Sequence, residues 1–81
     1  MERPDTLRRV VDVLCRVCCP ALIPTRHDAL RNVVGPGEWP AVLRALRREF
    51  GPAIDVMPAD MPATVGRLAQ RIEAATEAHR G

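Results

Sequence analysis

Trp39-Pro40-Ala41-Val42-Leu43-Arg44-Ala45-Leu46-Arg47-Arg48-Glu49-Phe50-Gly51-Pro52-Ala53-Ile54 is the stretch on which the fold turns. Trp39, Val42, Leu43, Leu46 and Phe50 recur at the three- and four-residue spacing of a helix with one apolar face. Pro40 is tolerated near its start, because first-turn N–H groups have no intrahelical acceptor to lose. Gly51-Pro52 stops it, since proline cannot extend a helix. An apolar face of this kind must be covered by other elements, and the rest of the chain supplies helices.

Upstream, Leu7, Val10, Val11, Leu14, Val17 and Cys18 repeat the helical pattern, with Arg8, Arg9, Asp12 and Arg16 on the wet side. Asp5 or Thr6 can cap this first helix and Pro20 must end it, so it is expected over residues 6–19. From Pro20 to Gly37 five prolines and glycines surround isolated apolar residues, Leu22, Ile23, Leu30, Val33 and Val34. The expectation is a long loop, pinned by those side chains. Downstream, residues 53–63 carry Pro58 and Pro62 and allow one short helical turn near 58–61. Thr64 or a neighbour can then cap a last helix with Val65, Leu68, Ala69, Ile72 and Ala75 on its buried face, fraying over Glu77 to Gly81. The reading is a single all-α domain over 1–81: helix, long loop, helix, short helical turn, helix, a small three-to-four-helix bundle.

Composition narrows the chemistry. The 81 residues include no Ser, no Tyr and no Lys, which removes serine nucleophiles and Schiff-base lysines. Trp39 and Phe50 are the only aromatics, so the core is aliphatic. All twelve basic residues are arginine against ten acids, and a net charge of +2 does not by itself call for a polyanion. No stretch approaches the roughly eighteen apolar residues of a membrane span, and the opening residues lack a signal-peptide apolar region. A cytoplasmic protein with reduced thiols is expected.

Cys15, Cys18 and Cys19 raise a metal or redox question. A structural zinc site needs four ligands, and His27 and His79 are single histidines far apart, so no metal is expected. Cys18 is expected at the centre of the first helix's stripe and Cys15 at its edge, as small hydrophobes, leaving Cys19 to solvent. A Cys19–His27 nucleophilic pair lacks an orienting third residue, and no enzymatic activity is expected.

With these residues in place, the second half of the chain resembles the acyl carrier protein family, peptidyl carrier proteins included. The family's second helix ends in Ala-Leu-x-x-x-Phe, then a small-residue link and Ile, as Ala45-Leu46-Arg47-Arg48-Glu49-Phe50-Gly51-Pro52-Ala53-Ile54 does. Its last helix opens with Thr-Val-Gly and reaches a buried Ile, matched by Thr64-Val65-Gly66 and Ile72. The resemblance implies a carrier fold. It also implies a serine heading the second helix and bearing a phosphopantetheine arm, and that serine is missing. Matching the family's Leu-Gly to Val34-Gly35 puts Glu38 at the position, whereas counting back from Phe50 puts Pro36 there. Neither has a hydroxyl, so no cofactor is expected.

The resemblance further implies an acidic second helix read by basic enzymes, yet here Arg44, Arg47 and Arg48 fall on one flank, given about 100° per residue. Like charges at i+3 and i+4 cost roughly 0.2–0.5 kcal/mol per pair, which an acidic partner would offset. The expected function is therefore that of an adaptor or regulator in polyketide, fatty-acid or nonribosomal-peptide biosynthesis. It would contact an enzyme with an acidic docking surface through Arg44, Arg47, Arg48, Glu38 and Trp39. Trp39 either anchors the loop from within or stands exposed as an interface residue. Nucleic acid is not an expected partner, because no Asn or Gln stands beside the arginines to read bases. Two alternatives remain: cargo held as a thioester on Cys19, or an acyl ligand bound without a covalent bond in a core cavity lined by Leu14, Val42, Leu46, Phe50 and Leu68.

Overall fold

Four α-helices and one 3₁₀ turn make up the computed structural model, which describes residues 4–58 and 60–80 and, among them, the side chains of 5–58 and 60–79. The helices are α1 (Pro4–Cys18), α2 (Leu30–Val33), α3 (Trp39–Phe50) and α4 (Val65–Arg80), with the 3₁₀ turn at Pro52–Val56 between α3 and α4. The protein is an all-α bundle: α1 packs on α3 and α4, and the 3₁₀ turn packs on both α3 and α4. No helix among the described residues is long and apolar enough to cross a membrane.

One aliphatic core joins all elements. Val10, Val13, Leu14, Leu30, Val42, Leu46, Val65 and Leu68 are entirely buried, with Ile72 at 1% exposure. Trp39, Leu43 and Phe50 are half-buried and pack against this cluster.

Several boundaries differ from the sequence reading. The first helix starts at Pro4 rather than residue 6, because proline's preset φ and missing N–H suit a first helical turn. Asp5 and Thr6 lie inside that turn, where the Asp5 charge meets the positive end of the helix dipole. The helix closes at Cys18, and Cys19 takes a left-handed φ of 48°. The buried stripe of α1 centres on Val10, Val13 and Leu14 rather than on Cys18, which is only half-buried. Val13 belongs to the core because α1 is flanked by two helices and buries a wider arc than one stripe.

The segment 20–37 is not a bare loop but contains α2, and it is pinned mainly by backbone hydrogen bonds. Leu30 N–H donates to the Ala63 carbonyl at 3.0 Å, Val65 N–H to the Asp28 carbonyl at 3.0 Å and Gly66 N–H to the Arg26 carbonyl at 2.9 Å. The last two satisfy N–H groups of the first turn of α4, which have no acceptor within their own helix. A Cβ on Gly66 would stand 3.0 Å from the Arg26 carbonyl oxygen, so a side chain there would push the loop back by a few tenths of an ångström. Of the loop's apolar side chains Pro24, Leu30 and Val34 are buried, with Val33 half-buried. Leu22 and Ile23 are 84% and 76% exposed and pin nothing.

The short helical turn falls at Pro52–Val56, not near 58–61. Pro52 ends α3 and also opens the next turn, burying Ala53 and Ile54. Pro58 and Asp60 lie outside any helix, and Ala59 is outside the described residues. Of the residues that could cap α4, it is Thr64 that does so, its Oγ1 accepting from Arg67 N–H at 3.2 Å. α4 runs on to Arg80, and Gly81 is outside the described residues.

Candidate functional site

The head of α3 is built by the turn Gly35-Pro36-Gly37-Glu38. Glu38 N–H donates to the Gly35 carbonyl at 3.0 Å, and Gly35 N–H donates to Glu38 Oε1 at 2.6 Å. The Glu38 side chain therefore folds back into its own turn instead of projecting from the helix. A Cβ on Gly35 would lie 2.7 Å from that carboxylate oxygen, so a side chain there would push the Glu38 carboxylate out of this position. Glu38 is the N-cap of α3, and Pro36 stands exposed two residues earlier.

Glu38 also faces the end of α1. Burial pushes the Cys18 thiol up to about 11, and the negative charge of the neighbouring Glu38 carboxylate adds to the shift. Cys18 is thus held as a neutral thiol, a poor nucleophile and a poor metal ligand. Cys15 is likewise half-buried, while Cys19 is exposed with its Sγ 3.9 Å from the Arg16 carbonyl. His27 is exposed on the Thr25–Asp28 turn, and it forms no hydrogen bond with Cys19 among the described residues. Among those residues, no group of three or more His, Cys, Asp or Glu side chains is placed to hold a metal ion.

The three arginines come together along the outer side of α3. Arg44, Arg47 and Arg48 are all exposed, and with Gly51 and Pro52 they border an open depression of about 490 Å³. Arg47 Nε lies 3.2 Å from Asp55 Oδ2, but with side-chain exposures of 62% and 57% this pair contributes at most about 1 kcal/mol. Arg44 and Arg48 form no ion pair with the described residues.

Glu49, the one acid within α3, is turned the other way. Arg9 Nε donates to its Oε2 at 2.8 Å and Arg9 Nη2 to its backbone carbonyl at 2.7 Å, while Arg16 Nη2 is 3.4 Å from Oε1. The Arg9 guanidinium also lies 4.4 Å from the centre of the Phe50 ring. Arg9, read from the sequence as part of the wet face, is thus half-buried in the seam between α1 and α3. It supplies a donor to a last-turn carbonyl that would otherwise lack one. The hydrogen bond from Arg9 is the main cause holding the Glu49 carboxyl below its ordinary value.

A contribution that sequence reasoning missed comes from the 3₁₀ turn. Ile54 and Met57, with Leu43, form the apolar part of a second crevice of about 260 Å³ whose rim includes Arg44, Arg47 and Asp55. Only the position of the turn reveals this, and the sequence reading placed the turn elsewhere. Glu38 and Trp39 do not share the arginine flank. Glu38 lies about 9 Å along the axis from Arg44, at 1.5 Å per residue, and its carboxylate is engaged in the turn. Trp39 is half-buried against the core, closer to the anchoring role than to the exposed one.

Leu14, Val42, Leu46 and Leu68 are fully buried in the common core, packed with other aliphatic side chains. Phe50 lines a crevice of about 160 Å³ whose other walls include Asp5, Thr6, Arg9, Ile72 and Glu73. Compared with family models, with curated proteins and with solved structures, the chain matches none.

Proposed function

We propose that the chain is a carrier-like bundle without a phosphopantetheine arm, working by protein–protein contact. It would be an adaptor or regulator of an enzyme in polyketide, fatty-acid or nonribosomal-peptide synthesis, acting in the cytoplasm and catalysing nothing itself. The observation that carries this reading is the head of α3. There Glu38 offers a carboxylate engaged with Gly35 N–H, and Pro36 offers only its ring, where an attachment site would need a free hydroxyl. The exposed Arg44, Arg47 and Arg48 flank supports contact with an acidic surface, through steering and rim interactions.

Incubation with a promiscuous phosphopantetheinyl transferase and coenzyme A tests the reading. The expected result is an unchanged intact mass, and an added phosphopantetheine would overturn it.

A further inference from the structure

The groove between α3 and the 3₁₀ turn combines charge and apolar surface in a way the head of α3 does not. Its two depressions share Arg44 and Arg47, one bordered also by Arg48 and the other floored by Leu43, Ile54 and Met57. Val56, on the same turn, is 61% exposed. The positive charge is local: Arg44 and Arg48 have no acidic partner among the described residues, and Glu49 is drawn away by Arg9 and Arg16. Among the described residues Arg47 is paired with the solvent-exposed Asp55 carboxylate, which an incoming one could replace.

We propose that this groove docks an acidic amphipathic helix of a partner protein. Carboxylates along one edge of that helix pair with Arg44 and Arg48, and an aliphatic side chain beside them rests on Leu43, Ile54 and Met57. The inference rests on the protein-contact reading above and deepens it by naming the partner's chemistry. Charge complementarity selects the acidic edge. The apolar floor selects a folded amphipathic segment over a simple polyanion, which would gain nothing from it.

The test uses a fluorescent peptide of about 15 residues, long enough to form a helix, with glutamates along one edge and leucines along the next. The controls are a shuffled peptide of the same composition and a single-stranded oligonucleotide of equal charge. Anisotropy is expected to show the amphipathic peptide binding about tenfold or more tightly than either control, weakening as salt is added. Amide shift changes are expected at Leu43, Arg44, Ile54 and Met57. R44E/R48E, both exposed and outside the core, should reduce binding about tenfold or more with an unchanged circular dichroism spectrum. Leu43→Ala should narrow the gap between the two peptides. Equal binding of both peptides, tighter binding of the oligonucleotide, no binding, or shift changes elsewhere would each overturn the proposal. A chain that accepts phosphopantetheine yet passes this test loses the earlier reading and keeps the groove. A chain that stays unmodified but fails it does the reverse.

Discussion

Glycine at position 66 carries a constraint that helix propensity alone would miss. Alanine is the better helix former by up to about 1 kcal/mol, yet its Cβ would press on the Arg26 carbonyl at 3.0 Å and strain the hydrogen bond that Gly66 donates to it. The second effect is expected to win. Gly66→Ala should lower unfolding free energy by about 1 kcal/mol in urea titration, a net cost the size of one lost hydrogen bond, and a rise in stability would show that the loop yields to the methyl without cost. Cys18 makes a second residue-scale prediction. Its thiol is pushed up to about 11, so the folded chain keeps the proton while an unfolded chain releases it near pH 9. Below that the stabilisation is complete, and it is lost progressively as pH rises between about 9 and 11. At pH 8 iodoacetamide should label exposed Cys19 well before Cys18, and equal rates for the two thiols would contradict the burial described.

The seam between α1 and α3 is where elements rather than single residues decide the outcome. Arg9 and Arg16 hold Glu49 in its charged form, below its ordinary value near 4.5, so the seam is stabilised above that pH and weakens as acid is added. Glu49→Gln should flatten the stability profile below about pH 4.5, measured by thermal unfolding across an acid series; an unaltered slope would mean the pairs contribute nothing. The elements differ in how far they were legible from sequence. The period from Trp39 to Phe50, the stop at Gly51-Pro52 and the Thr64 cap are local signals, and the structure follows all three. Pro52 was legible as a terminator but not as the first residue of the 3₁₀ turn, because whether a turn forms there depends on burying Ala53 and Ile54 against neighbouring elements. α2 was hidden for the same reason: four residues carry no helical period, and Leu30 is fixed by the core and by a hydrogen bond to Ala63 from a distant part of the chain. Val13 was missed because a single-stripe reading of α1 does not anticipate two flanking helices.

For the whole molecule, the distribution of charge sets its character more than the net +2 does. Acids and arginines neutralise each other across the α1–α3 seam, which leaves the Arg44, Arg47 and Arg48 flank of α3 basic beside an apolar crevice. The cluster of arginines and the missing hydroxyl were both legible in the sequence. The groove was not, since it exists only once the 3₁₀ turn lies against α3. The proposed function is that of an unmodified bundle acting through its surface, as distinct from a carrier that bears an arm. The measurement that bears most directly on that distinction is the intact mass of the chain purified from its native source, before and after hydroxylamine. The account predicts the mass of the bare polypeptide in both spectra. A phosphopantetheine addition, or an acyl addition released by hydroxylamine from Cys19, would contradict it.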